Sequence, residues 1–192
     1  MTNVNYVKEL IEKQFDVLKT EVIDKHQVSF EVKKDAVHHI LNILKLEGWI
    51  QLSYLSAIDW IDENEFELVY IVMNWDKAVH VQVRARIGRE NPVMDSILPI
   101  YEGCKYYERE CHEFFGIAFI GNPDYKKQLI LENWDDIPPM RKDFDPRAYS
   151  DSHFAKREYK EDFVVTNNQE SKQEKRNERT LRTLFQKKGG RK

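Results

Sequence analysis

The densest run of ionisable side chains in the sequence is Glu108-Arg109-Glu110-Cys111-His112-Glu113. Carboxylates beside an imidazole could move protons or hold a metal ion. The spacing argues against both. On a helix Glu108 and His112 stand one turn apart, as do Arg109 and Glu113, while Glu110 lies off that face. An HExxH site needs two histidines one turn apart with a glutamate beside the first, and this run has one histidine. The plainer expectation is a helix with internal ion pairs, one face of which meets another protein.

A second cluster is Pro138-Pro139-Met140-Arg141-Lys142-Asp143. Its two prolines stiffen the approach and fix where Arg141 and Lys142 point. Arg141 is suited to paired hydrogen bonds with a carboxylate. The alternative is a solvated turn, where an ion pair contributes only about 0–1 kcal/mol. Two cysteines, Cys104 and Cys111, complete the reactive inventory. An iron–sulfur cluster or a structural zinc site needs more thiolates or imidazoles than these supply. Two reduced, half-buried thiols are expected instead.

The elements around these clusters follow from periodicity. Val7, Leu10, Ile11, Phe15 and Leu18 fall at helical spacing, which predicts a helix over residues 4–19. Val28, Phe30 and Val32 alternate with polar residues as a short strand. Asp35 is placed to cap a second helix striped by Val37, Ile40, Leu41 and Leu44, and Gly48 stands where a left-handed residue would end it. Leu52–Trp60 reads as a strand ending at the turn Asp62-Glu63-Asn64. Phe66–Trp75 is so continuously apolar that burial on both faces is expected. Val79–Ile87 alternates strictly, as a half-exposed strand should, after a hairpin loop at Asn74–Lys77. Pro92 could open a short helix through Ile97. Tyr106–Phe115 reads as a charged helix closed by Gly116, and the prolines beyond it mark loop-rich backbone.

The expected architecture is α+β: one domain with a mixed or antiparallel sheet flanked by helices, plus an extended C-terminal tail. Residues 1–120 form the core, residues 121–150 a loop-rich segment ending at Asp143 and its surroundings, and residues 151–192 a basic tail poor in apolar residues. That tail holds 12 Lys/Arg against 7 Asp/Glu, a net of +5, leaving 18 against 26, or −8, for residues 1–150. An acidic body with a basic tail suggests that the tail docks on an acidic surface, its own or a partner's. Seven acids among its basic residues, and few aromatics, argue against nucleic acid. No GxGxxG or GxxxxGK[ST] run occurs, so a glycine-rich nucleotide loop is not expected. No apolar run reaches the ~18–20 residues that span a bilayer, and the N-terminus lacks the pattern of a signal peptide. A cytoplasmic location is expected, with any membrane contact made through other subunits.

Together the clusters resemble a known signature. Glu108-Arg109-Glu110, Glu113-Phe114-Phe115-Gly116-Ile117, Phe119, Gly121, Pro123-Asp124, Leu129–Leu131, Trp134 and Pro139-Met140-Arg141-Lys142-Asp143 resemble the 30-kDa subunit, also called the C subunit, of NADH-quinone oxidoreductase. The likeness extends back through Leu55–Trp60 and the hairpin at Phe66–Ile87, covering about residues 30–148. Lys105, Tyr106, Glu113, Asn122 and Met140 stand where the family usually has Asn, Trp, Asp, His and Leu. The same subunit type occurs in membrane-bound nickel–iron hydrogenases and in ferredoxin- or F420-linked relatives. The resemblance implies a subunit of the hydrophilic peripheral arm, packed on a hydrogenase-like large subunit and adjacent iron–sulfur subunits. It implies no cofactor on this chain; the iron–sulfur clusters, with flavin or a nickel–iron centre, would sit on partner subunits. Glu108, Arg109, Glu110, Glu113, Gly116, Arg141, Lys142 and Asp143 would then be interface residues rather than catalysts.

Overall fold

A computed structural model describes residues 3–155. The chain divides into two compact units, Met1–Ala148 and Tyr149–Lys192. In the first, α1 (Asn3–Glu12), β1 (Val17–Asp24), β2 (Gln27–Val32), α2 (Lys34–Leu46), β3 (Gln51–Trp60), β4 (Glu65–Asn74) and β5 (Val79–Gly88) precede β6 (Val93–Asp95), α3 (Cys104–Phe115) and β7 (Ala118–Ile120). A further helix, α4, runs Pro146–His153. Of the second unit only Tyr149–Ala155 is described, and there Tyr149 stacks on His153 at 4.0 Å. The expected basic tail lies almost wholly outside the described residues.

Five strands form one sheet in the order β1-β2-β5-β4-β3. β2 runs parallel to β5, and the other pairs are antiparallel, so the sheet is mixed as anticipated. Alternate residues carry the core: Phe66, Leu68, Tyr70 and Val72 on β4 face the same way as Val79, Val81, Val83 and Ala85 on β5. The apolar stripes of α1, α2 and α3 close over that face in a single cluster. β6 and β7 form a separate parallel pair that ties the segment before α3 to the segment after it.

Four local expectations are corrected. The first helix stops at Glu12, and Val17–Asp24 is a strand. β1 is an edge strand largely exposed along its length, so its sequence carries no clear two-residue period. The Pro92–Ile97 segment is strand β6, because Val93–Asp95 finds a partner in Ala118–Ile120. β4 is not buried on both faces: Val69, Ile71 and Met73 point outward and are half-exposed. Outward-facing Glu67 is nevertheless buried. Trp60 donates to it at 2.8 Å, and Arg84 Nε lies 2.7 Å away as a charge contact without hydrogen-bond alignment. Finally, α2 starts after Lys33 with no side-chain cap, and Asp35 sits in its first turn. Gly48 does adopt the left-handed conformation, at φ +97°.

Candidate functional site

α3 positions most of the charged motif. Cys104, Glu108, Cys111 and Phe115 recur at three- and four-residue spacing and form its buried face. Glu108 therefore points into the core, fully inaccessible, without a cationic partner among the described residues. It is satisfied by neutral donors instead. Ser96 Oγ reaches both carboxylate oxygens at 3.0 and 2.8 Å, Ile97 N–H donates at 3.0 Å and Asn122 Nδ2 at 2.8 Å. One buried side chain thus joins the segment before α3 to the turn after β7. A carboxylate so buried is tolerated only because its acceptor sites are filled.

Arg109 and Glu113, one turn apart, do not pair with each other. Both grip the same stretch of main chain. Arg109 donates to the carbonyls of Lys127 at 3.2 Å and Gln128 at 2.6 Å. Glu113 accepts the next three amides, Leu129, Ile130 and Leu131, at 2.9–3.2 Å. Lys105, in the first turn of α3, holds the loop's start through Asp124 at 2.6 Å, and Lys127 adds a second contact at 2.5 Å. Those two cations hold the Asp124 carboxyl down at about 2. The expected ion pairs inside the helix are absent among the described residues, because each partner has a main-chain or loop target. Glu110 lies off this face, half-buried, without a side-chain hydrogen bond there.

His112 has its own partners. Its Nδ1–H donates to Ile117 O at 2.9 Å, and its ring meets Tyr125 edge-on at 4.8 Å. Glu108, His112 and Glu113 therefore point to three separate targets, and no three potential ligands converge among the described residues. Both cysteines are fully buried rather than half-buried. Burial, then the Glu108 charge, pushes the Cys104 thiol far up; burial, with Glu110 and Glu108, does the same to Cys111. Protonated thiols are poor ligands and poor nucleophiles.

The second cluster closes the far end of α3. Gly116 takes φ +81°, and its N–H caps His112 O. A Cβ there would lie 2.8 Å from Arg141 Nη2 and 3.3 Å from Pro138 Cγ. Arg141 Nε donates to Phe115 O at 2.7 Å, placing a cation at the helix C-terminus, where the dipole favours it. Burial, then nearby Arg89, lowers the Arg141 pKa. Met140 N–H adds a bond to Phe114 O. Lys142 N–H donates to Asp59 Oδ2 at 2.8 Å, and its ammonium lies over Trp60. Asp143 accepts from Arg89 at 2.6 Å, and Arg89 grips Asp59 through Nε and Nη2 at 2.9 and 3.2 Å. Burial alone would raise the Asp143 carboxyl; the Arg89 hydrogen bond, a backbone hydrogen bond and the charges of Arg89 and Arg141 together outweigh it and leave the pKa lowered.

The motif thus comes together around α3 and the end of β3, but three partners, Ser96, Asp59 and Arg89, were not singled out from the sequence, and Asn122 was named there only as a departure from the family's usual residue. Asp59 did leave a signal. It follows Leu55 and Ala57 on the core-facing positions of β3, where a charge demands a partner.

Residues 30–150 match the family described as respiratory-chain NADH dehydrogenase, 30 Kd subunit. The chain belongs to that family. It is 31% identical over 117 residues to the C subunit of the F(420)H(2) dehydrogenase of Methanosarcina mazei, covering 59% of this chain and 73% of the relative. Over 138 residues it is 30% identical to the C subunit of the NADH-quinone oxidoreductase of Rhodobacter capsulatus, covering 70% and 68%. A chain in the structure of the membrane-bound sulfane sulfur reductase, an archaeal respiratory membrane complex, superposes with a TM-score of 0.73 at 29% identity. That superposition covers 85% of this chain and 98% of the other. This member of the 30-kDa family has, among its described residues, no helix long and apolar enough to cross a membrane.

Proposed function

We propose that the chain is a non-catalytic structural and assembly subunit in the hydrophilic peripheral arm of a complex I-like membrane oxidoreductase. It packs on a hydrogenase-like large subunit and neighbouring iron–sulfur subunits on the cytoplasmic side, and meets the membrane only through them. The observation carrying this reading is how the motif spends its charges. Arg109 and Glu113 immobilise residues 127–131 from one side, yet Ile130 stands 62% exposed on that stretch, and Ile137 and Met140 are exposed further along the loop. Holding an exposed isoleucine still brings an isolated fold little; it lowers the ordering cost of docking. The buried, protonated thiols suit a chain whose partners carry the clusters.

Arg109→Ala and Arg141→Ala should each lower the amount of assembled complex in native membranes, while the cluster spectra of the remaining complex stay unchanged. Assembly at the normal level with activity lost would overturn a purely structural role. A second reading concerns the electron donor. The match to a subunit of an F(420)H(2) dehydrogenase favours a complex fed by something other than NADH. Co-purification decides between them: a flavin-containing NADH module supports the first, and a large subunit retaining nickel-ligating cysteines supports a hydrogenase-type assembly. Tightly bound stoichiometric zinc or iron on the purified chain would instead revive a metalloenzyme.

A further inference from the structure

The helices close over one face of the five-stranded sheet, and the opposite face is not uniform. Strand register lines up its outward side chains in rows. Tyr54 on β3 stands beside Ile71 on β4, followed by Gln82 on β5 and Ser29 on β2. The next row is Ser56, Val69, Arg84 and Glu31. On either side of these, Met73 is followed by His80 and Gln27, and Ile58 by Glu67 and Arg86. The β3–β4 half of this face is therefore largely apolar, and the β5–β2 half is polar. Tyr54 is 47% and Ile58 40% exposed, and Val69, Ile71 and Met73 are half-exposed. Single apolar residues on a wet face need no explanation, but five on two paired strands form a patch. β4 itself is apolar on both sides, since Phe66, Leu68, Tyr70 and Val72 fill its inner face. An antiparallel strand wetted on one face alternates apolar with polar residues; a near-continuous apolar run belongs to a strand covered on both.

The dimensions of the patch specify its cover. Two strands about 4.8 Å apart make it roughly 10 Å wide, and the steps from the level of Ile58 to Met73 make it roughly 20 Å long. That is about the width of one helix and the length of about 13 helical residues. A second sheet would bring further strands against the polar rows of β5 and β2. A second copy packed patch to patch would bury far less than the ~800 Å² per partner of a stable dimer. Past Ile58 the patch ends at Trp60, which donates to buried Glu67 and carries Arg86 over its ring at 5.0 Å and Lys142 at 5.8 Å. Lys142 belongs to the second charged cluster, so the patch runs on from the surface proposed above to meet a neighbour. We infer that the β3–β4 half of the open face is covered in the assembly by one amphipathic helix of a neighbouring subunit, laid along the two strands. Its apolar side chains, at i, i+3, i+4 and i+7, would pack on Tyr54, Ile58, Val69, Ile71 and Met73. This inference rests on the chain acting as a subunit of an assembly.

The test follows incorporation of the full-length tagged chain into its native assembly on non-denaturing gels. Ile58→Lys and Ile71→Lys should each lower incorporation about tenfold, with the melting temperature of the purified chain unchanged. Lys19→Ala, on β1 at the polar side of the same face, should leave incorporation at the wild-type level. If a lysine variant also melts lower, Ile71→Thr decides, because it keeps a β-branched side chain in the strand while removing apolar surface. Reduced incorporation of Ile71→Thr at an unchanged melting temperature supports the helix contact, and incorporation at the wild-type level overturns it. A photo-crosslinking phenylalanine in place of Tyr54 should capture a peptide of a neighbouring subunit with apolar residues at helical spacing. A crosslink to lipid, to a second copy or within the isolated chain overturns the occupant assigned here. If Ile58→Lys and Ile71→Lys both assemble normally, the covered face is wrong and the subunit role stands. If the wild-type chain never enters a larger assembly, the subunit role itself fails.

Discussion

The two charged clusters of the motif hold the fold by different means. On α3, charge meets neutral donors and acceptors: Glu108 takes a hydroxyl, an amide and a carboxamide, while Arg109 and Glu113 take main-chain groups. At the end of β3, charge meets charge, with Asp59, Arg89 and Asp143 linked in a row. The first arrangement fixes backbone with little sensitivity to salt, since its partners are not ions. The second is an ion network whose inner member, Asp59, is buried and whose outer member, Asp143, is partly in water.

That contrast can be broken at its strongest point first. Glu108→Ala strands three buried donors at once, so a loss of about 3 kcal/mol or more is expected by chemical denaturation, with assembly falling in parallel. A loss under ~1 kcal/mol would mean that the donors find other partners. Asp59→Ala leaves Arg89 paired only with half-exposed Asp143, and about 3 kcal/mol should be lost, read in the same way. Unlike the Glu108 variant, it should also free the Lys142 amide, visible as faster hydrogen exchange. Gly116→Ala imposes a left-handed conformation on an L-residue and drives a methyl against Arg141; about 1–2 kcal/mol is the expected cost, measured from the melting temperature. A neutral result there would show that the Arg141 side chain yields.

The smallest effect is a pH dependence. The Asp124 carboxyl sits at about 2 in the folded chain against 3.8 unconstrained, so the unfolded chain binds its proton more readily. Its contribution is fully present above about pH 4 and is lost as pH falls through 2. The stability difference between wild type and Asp124→Asn should be flat above that range and shrink below it. A difference that grows on acidification would reverse the assignment.

Much of this arrangement was legible in the residues. The α2 stripe, the charged helix closed by Gly116, the β4–β5 hairpin and the left-handed turn at Gly48 follow from local periodicity and glycine placement. β1 was not legible, because an edge strand wetted on most of its length has no apolar period to read. β6 was not legible either, since three residues become a strand only by pairing with a segment some 25 positions later. The targets of Arg109 and Glu113 were hidden for a related reason: main-chain partners leave no residue type to recognise.

The sequence by itself determined the family, through the charged motif and its spacing, and the α+β class, through the change of period from helix to strand and back. Tertiary structure alone decided what the motif's charges do. A helix places Glu108, Arg109 and Glu113 only relative to one another. Whether they pair, reach solvent or grip a distant loop depends on which backbone groups the fold brings within about 3 Å, and that is set by contacts remote in the chain.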